Sequence, residues 1–222
     1  MFGKRITIFS GHYGSGKTNV AVNYSKSLKT KYDRVSIYDL DIVNPYFRTV
    51  DAQNDLEKAG VGLIVSPFAE TNVDLPAMSA KSYLMLDKDS GRAVVDLGGD
   101  DRGALAMGRF SGRIKEENDY DMLLVLNVFR PETRTVDGII EIMREIERVA
   151  EISFTGIVNN SNLGVETTAE TVYNSIDTVN RLCEKTKLDV AFTAVKSGLE
   201  IDEKRIRTKI LPIELIKYGN WL

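Results

Sequence analysis

The sequence is poor in the residues that build disulfide-linked or zinc-clamped folds. Among its 222 residues there is one cysteine, Cys183, and one histidine, His12. A lone cysteine excludes an intramolecular disulfide framework and favours a reducing compartment. One cysteine with one histidine cannot build a Cys/His zinc site, although carboxylates can still bind Mg²⁺. Apolar runs stay well below the roughly 20 residues of a membrane span, so we expect no such span.

The chain also lacks an excess of positive charge. It has 29 lysine and arginine residues against 32 aspartate and glutamate residues, for a formal net charge of −3. Nucleic acid binding needs a strongly positive face, so nucleic acid is not expected as the main partner. The length favours a single domain over residues 1–222. The first residues lead directly into a strand pattern, without room for a signal peptide, and we therefore expect a soluble cytoplasmic protein.

Short apolar runs alternate with longer segments of helical period. Continuous apolar strands are typical of a parallel sheet that is buried on both faces. Their alternation with helices predicts an α/β fold, doubly wound, with a mostly parallel sheet and helices on both faces. The strands are predicted at 5–10, 34–40, 92–97, 120–128, 154–158 and 190–195. In the less regular region 51–90 we predict helices near 52–59 and 76–86 and a short strand near 61–65.

Polar clusters follow five of the predicted strands. In a doubly wound sheet, ligands bind beyond the carboxyl ends of the strands, which all lie at one edge. The sequence therefore predicts one site assembled from five strand ends. The clusters are 11–18, Asp39 with Asp41, 96–101, Asn127 with Arg130, and Asn159 with Asn160.

The clearest motif is a glycine-rich loop after the first strand. Residues 11–18 read Gly-His-Tyr-Gly-Ser-Gly-Lys-Thr and match the phosphate-loop (Walker A) pattern G-x-x-x-x-G-K-[ST] in full. Glycines let the backbone turn its N–H groups toward phosphate oxygens, and the next helix adds its positive N-terminal end. Lys17 can reach the β- and γ-phosphates, and the Thr18 hydroxyl can ligate Mg²⁺. The predicted nucleotide-binding residues are Gly11, His12, Tyr13, Gly14, Ser15, Gly16, Lys17 and Thr18.

Acidic residues at two further strand ends extend this site. Asp96 ends an apolar strand, where the acid that holds Mg²⁺ through water is expected. The run 96–99 reads D-x-x-G, in which the backbone N–H of Gly99 can sense a γ-phosphate. Asp39 and Asp41 are expected to have separate roles, one at the Mg²⁺–phosphate centre and the other at the attacking water or a substrate hydroxyl. For Asp39, capping of the loop is an equal alternative to binding the metal.

Together these residues resemble the SIMIBI class of phosphate-loop proteins, and within it the CobQ/CobB/MinD/ParA nucleotide-binding family. The resemblance covers residues 1–165 by motif and the remainder by topology. It implies that Asp41, the second acid of the D-x-D motif, orients the hydrolytic water, and that Asp96 is the strand-three acid. It also implies that an asparagine at the end of strand five contacts adenine. The register of the resemblance favours Asn160 over Asn159 for this contact. The alternative for both asparagines is that they only form a turn.

The sequence departs from the family pattern in two places. MinD-like ATPases carry a second lysine just after the first glycine of the loop, and it reaches a nucleotide across a dimer interface. Here His12 and Tyr13 follow Gly11, so a homodimer is possible but a nucleotide-sandwich dimer is not implied. The guanine-reading motif N-K-x-D is missing, which favours ATP over GTP. The segment 211–222 has little basic character for a membrane-binding helix, and we expect it to dock on the core.

Three functions fit these features. The first is an ATPase switch with ATP and Mg²⁺ as cofactors, in which Lys17 and Asp41 are catalytic and a protein partner is acted upon. The second is an ATP-dependent kinase or ligase resembling dethiobiotin synthetase or cobyrinic acid amidase. There Arg48, Arg102 or Arg130 would hold an anionic substrate, although Arg48 is equally well explained as a solvated surface charge. The third is a nucleotide-binding scaffold without activity, which the complete lysine, threonine and acid set disfavours.

Overall fold

Strands and helices alternate along the chain. A computed structural model describes residues 2–41, 49–65, 80–99 and 101–216, with the backbone alone for residues 80, 101 and 102. The strands are β1 (Ile6–Ser10), β2 (Val35–Leu40), β3 (Gly62–Val65), β4 (Arg92–Leu97), β5 (Tyr120–Leu126), β6 (Gly156–Asn159), β7 (Val190–Lys196) and β8 (Ile210–Ile213). The helices are α1 (Lys17–Lys29), α2 (Gln53–Lys58), α3 (Asp101–Glu117), α4 (Val136–Ala150), α5 (Ala169–Thr186) and α6 (Glu203–Ile206).

The strands of the described residues form one sheet in the order β3-β2-β4-β1-β5-β6-β7-β8. Every neighbouring pair in this sheet is parallel. The doubly wound α/β fold predicted from the sequence is confirmed. Because the strands are parallel, their carboxyl ends share one edge of the sheet, where the polar clusters were expected.

Side chains of the central strand β1 alternate between two buried layers. Ile6 and Ile8 pack in a hydrophobic cluster with residues of α3 and α4 on one face. Phe9 packs in a second cluster with residues of α1 and α2 on the other face. This alternation is the period of two expected for a strand that is covered on both sides. The sheet is therefore sandwiched between helical layers, as predicted.

Several predicted boundaries were wrong, each for a local reason. The strand predicted at 120–128 ends at Leu126, because the Asn127 side chain accepts the Phe129 N–H at 3.1 Å and turns the chain. The strand predicted at 154–158 occupies Gly156–Asn159, since the Phe154 N–H donates to Glu147 of α4 and not to the sheet. The described part of the helix predicted near 76–86 is a 3₁₀ helix, Ala80–Leu86.

The C-terminal segment adds a strand that the sequence did not predict. Among the described strands, β8 pairs only with β7, and it contains Pro212. Proline removes a ladder donor, so it argues against a strand in the sequence, yet it is tolerated at the edge of a sheet. Ile213 and Ile216 are buried in the layer that contains α1, so this part of the segment docks on the core as expected. Across the described ranges, none of the helices is long and apolar enough to cross a membrane.

Candidate functional site

The glycine-rich loop joins the carboxyl end of β1 to α1. Gly14 and Gly16 have φ angles of 75° and 86°, in the left-handed region that favours glycine. The Ser15 N–H donates to the carbonyl oxygen of His12 at 3.1 Å and closes a turn inside the loop. Since α1 begins at Lys17, its N-terminal N–H groups and its positive end adjoin the loop. The loop has the backbone shape and partial charge of an anion-binding cradle.

Side chains from the ends of two strands hold consecutive carbonyl groups of the loop. Asn160, which follows β6, donates its Nδ2 hydrogen to the Ser15 oxygen at 2.7 Å. Arg130, beyond β5, donates from Nε to the Gly14 oxygen at 3.0 Å. A Cβ at Gly16 would overlap the Asn160 amide nitrogen, so glycine is needed there for packing as well as for φ. The loop conformation is therefore fixed from outside by the neighbouring strand ends.

Asp96, at the end of β4, is fully buried and accepts two hydroxyl groups on one oxygen. Thr18 Oγ1 donates to Asp96 Oδ2 at 2.7 Å. Thr49 Oγ1 donates to the same oxygen at 2.9 Å. The other oxygen, Oδ1, is buried without a hydrogen-bond partner among the described residues. A buried carboxylate oxygen in this state costs free energy unless a cation or a water meets it.

The electrostatics of Asp96 fit a divalent cation. Burial, and next the charge of Asp41, raise the pKa of Asp96 to about 6, against the opposing effects of Lys17 and the two threonine hydroxyls. A divalent cation would offset the cost of keeping this carboxylate ionised. Hydroxyl and carboxylate oxygens are also the donors that Mg²⁺ prefers. The unpartnered oxygen and the Thr18 hydroxyl beside it are thus suited to hold Mg²⁺.

The D-x-D acids lie beside the phosphate-loop lysine and Asp96. The Lys17 and Asp41 side chains are 6% and 7% exposed, with Nζ 4.0 Å from Oδ2. The Asp41 N–H donates to Asp39 Oδ1 at 3.1 Å, a geometry typical of a turn that begins with aspartate. Asp39 is in register with Asp96 on the adjoining strand. The structure therefore brings the two acids at the end of β2 close to Asp96 of β4, with Asp41 next to Lys17.

Gly99, which follows β4, lies directly against the loop. A Cβ at Gly99 would overlap the backbone oxygen of Gly11. Gly11 in turn packs against β5, where a Cβ would overlap the backbone oxygen of Val125. Side chains are therefore excluded at both positions. This close packing places the backbone of the D-x-x-G segment at the phosphate loop.

His12 and Tyr13 form the outer edge of the loop. His12 Nδ1 lies 2.9 Å from the Tyr13 carbonyl oxygen and 3.9 Å from Glu132 Oε2. The Tyr13 side chain is 58% exposed. Both residues therefore lie at the loop surface, in contrast to the buried Lys17.

The two asparagines at the end of β6 have different surroundings. Asn159 donates from Nδ2 to Ser175 Oγ of α5 at 2.8 Å, and its Oδ1 accepts the Ser161 N–H at 3.2 Å. Asn159 therefore connects β6 to α5 inside the fold. Asn160 is the member of the pair that contacts the phosphate loop, and its contact with adenine stays a prediction.

Some predicted residues lie outside the described part of the chain, and one contact was missed. Arg48 is outside the described residues, as is the side chain of Arg102. Thr49 was not identified from the sequence, because it lies in an irregular region without a motif. Its position is decided by the tertiary contact with Asp96. Arg130 was recognised as a strand-end residue, but its bond to Gly14 was not foreseen.

Comparisons with solved structures find the same fold. The chain is similar to the cell division protein FtsY from Thermotoga maritima, with a TM-score of 0.59 and 14% identity over 88% of this chain and 63% of that one. For chloroplast FtsY from Physcomitrella patens, the TM-score is 0.58 and the identity 14%, over 92% of this chain and 64% of that one. For the signal recognition particle 54 kDa protein from Aeropyrum pernix K1, solved in complex with GDP, the TM-score is 0.55 and the identity 18%, over 86% of this chain and 41% of that one.

These likenesses show the fold alone, an α/β fold of the P-loop NTPase type. The chain spans less than two thirds of the length of each of these three proteins. No protein-family model matches the sequence, and no curated protein matches it. The narrower resemblance to the CobQ/CobB/MinD/ParA family stays a prediction.

Proposed function

We propose that this chain is an ATP-binding, Mg²⁺-dependent ATPase of the MinD/ParA type that works as a nucleotide switch on a protein partner. The observation that carries the proposal is the 2.7 Å hydrogen bond between Thr18 and Asp96. This contact joins the last residue of the phosphate-loop motif to the acid at the end of β4. It brings together the two protein groups that a Mg²⁺–triphosphate site needs.

In this proposal the loop binds the phosphates before any chemistry occurs. Backbone N–H groups of the loop, other than that of Ser15, and the N-terminus of α1 face the phosphate oxygens, and Lys17 neutralises charge on the β- and γ-phosphates. Asn160 and Arg130 keep the loop carbonyls turned outward, so that the cradle is formed in advance. Preorganised donors stabilise developing charge without a cost of reorganisation during the reaction.

The metal site is assigned to Thr18 and Asp96, with Asp39 beside them. When bound there, Mg²⁺ would neutralise phosphate charge and orient the phosphoryl group. Asp39, in register with Asp96, supports the site from the neighbouring strand and caps the turn at Asp41. The two roles that the sequence left open for Asp39 are therefore compatible.

We assign hydrolysis to Asp41 and phosphate sensing to Gly99. Asp41 is held near Lys17, where its carboxylate can orient a water toward the terminal phosphate. Gly99 packs against Gly11 of the loop, so its backbone N–H is suited to respond to the γ-phosphate and to pass this state to α3. A nucleotide-dependent change at α3 would then be read by a protein partner.

ATP is preferred over GTP in this proposal. The related fold of the signal recognition particle protein was solved with GDP, but this sequence has Asn159-Asn160-Ser161-Asn162 at the end of β6, without the carboxylate that reads guanine. We assign the contact with adenine to Asn160. Asn159 supports it from within the fold through its hydrogen bond to Ser175.

Arg130 favours a second candidate, an ATP-dependent small-molecule kinase or ligase. Its guanidinium lies at the rim of the phosphate loop and the residue is exposed, so it could also hold an anionic acceptor. Phosphorylation or ligation of a metabolite with little intrinsic hydrolysis would favour this function. Slow ATP hydrolysis that a protein stimulates favours the switch.

Nucleotide binding by Lys17→Ala tests the proposal directly. We expect Mg²⁺-ATP affinity, measured by calorimetry, to fall below detection in this variant while circular dichroism stays unchanged. Lys29→Ala, at the other end of α1, is the matched control and should bind as the wild type does. Unchanged ATP affinity in Lys17→Ala would remove the basis of the phosphate-loop assignment.

A further inference from the structure

Thr49 is a buried residue that the fold places at the metal acid from outside the phosphate loop. Its side chain is 0% exposed, and it begins a short 3₁₀ helix, Thr49–Ala52, after β2. Its hydroxyl donates to Asp96 Oδ2 at 2.9 Å. Asp96 thus receives hydroxyl groups from two separate elements, α1 and the segment after β2.

The two hydroxyl groups leave the two Asp96 oxygens with different capacity to accept a further partner. A carboxylate oxygen offers about two acceptor positions, and both positions of Oδ2 are used by Thr18 and Thr49. Oδ1 is buried and has no such donor among the described residues. A cation, or a water on it, that approaches this acid therefore meets Oδ1.

We propose that Thr49 is a positioning residue for magnesium, because its hydroxyl fixes the Asp96 carboxylate so that Oδ1 is presented to the metal. This inference rests on the proposed function. Thr49 also donates to the ionised form of Asp96, which helps to keep the acid charged for the metal. Removal of the hydroxyl leaves Oδ2 with one open acceptor position and lets the carboxylate rotate.

Magnesium binding by Thr49→Val tests this role without any measurement of activity. The readouts are the Mg²⁺ dissociation constant with ADP present, by calorimetry, and the Mg²⁺-dependent rise in unfolding temperature without nucleotide. We expect Thr49→Val to bind Mg²⁺ about 10-fold more weakly, the loss typical of a missing hydrogen bond to a charged group. Its ADP affinity in EDTA should equal that of the wild type.

Two further variants separate positioning from packing. Thr49→Ser keeps the hydroxyl and should restore Mg²⁺ affinity to within about 2-fold of the wild type. Thr155→Val removes a threonine hydroxyl that donates to the Met122 oxygen at 3.2 Å, beyond the opposite edge of the sheet, and should leave Mg²⁺ binding unchanged. If Thr49→Val does not fold by circular dichroism, Thr49→Ala takes its place in the same titration.

The outcomes separate this inference from the proposed function. Unchanged Mg²⁺ affinity in Thr49→Val, or an equal loss of ADP affinity with Mg²⁺ and with EDTA, overturns the positioning role. Absence of any Mg²⁺ effect on the wild type overturns it as well. Suppose that the wild type binds no nucleotide, and that Mg²⁺ stabilises the wild type but not Thr49→Val. The proposed function then fails and the inference stands.

Discussion

Substitution of Asp96 by asparagine is expected to stabilise the nucleotide-free protein at neutral and alkaline pH. The pKa of Asp96 is raised from 3.8 to about 6, first by burial and then by the charge of Asp41. A difference of about 2 pH units corresponds to about 3 kcal/mol of unfavourable free energy for the ionised acid in the folded state. Asparagine does not ionise, and its amide oxygen can still accept the hydroxyl groups of Thr18 and Thr49.

The pH dependence has a definite sign. Between about pH 4 and pH 6 the folded state holds the Asp96 proton more tightly than the unfolded state does. The contribution of Asp96 to the stability of the wild type is therefore present at low pH and is lost as the pH rises through 6. The advantage of Asp96→Asn should therefore be near zero at pH 4 and reach about 1–3 kcal/mol at pH 8. The net pKa shift already includes the attraction to Lys17, and the lower bound allows for the asparagine NH₂ group, which would stand where Oδ1 has no hydrogen-bond partner among the described residues.

Urea unfolding of both proteins in EDTA, followed by circular dichroism from pH 4 to pH 8, measures this difference. Asp121→Asn is the control, and we expect it to lose stability. The buried Asp121 carboxylate accepts the backbone N–H groups of Gly3 and Lys4 at 2.7 and 2.9 Å. Addition of Mg²⁺ and ATP should stabilise the wild type but not Asp96→Asn. A variant that is less stable than the wild type at pH 8, or a gain that does not change with pH, would refute the reasoning.

Two further substitutions test the chemistry and the packing of the site, and a third serves as a control. Asp41→Asn should bind Mg²⁺-ATP nearly as the wild type does but hydrolyse it about 10²-fold more slowly, as for loss of a general base; wild-type turnover in single-turnover assays would exclude a catalytic role. Gly99→Ala should lower ATP affinity, because its Cβ would overlap the Gly11 oxygen and displace the loop. Gly112→Ala on α3, where a Cβ meets nothing within 4 Å, should instead raise stability by about 0.5–1 kcal/mol. Equal ATP affinity in the two glycine variants would contradict the proposed contact.

Local pattern was sufficient for the parallel sheet and for most of the candidate site. Continuous apolar strands between helices left few arrangements other than a doubly wound sheet, and that sheet brings the loop, Asp39 and Asp96 to one edge. The boundaries were less predictable, because side-chain contacts decided them. Asn127 ends β5 because its side chain forms a turn with the Phe129 N–H. Pro212 argues against a strand in the sequence, and only the position of β8 at the sheet edge explains why a strand forms there.

The amino-acid sequence by itself determined the fold class and the kinds of group at the site, since both follow from hydrophobic period and from a motif of adjacent residues. Tertiary structure alone decided how those groups are held. The Thr49–Asp96, Arg130–Gly14 and Asn160–Ser15 hydrogen bonds join residues 47, 116 and 145 positions apart. No local pattern encodes such contacts, because they depend on how strand ends meet after the chain has folded.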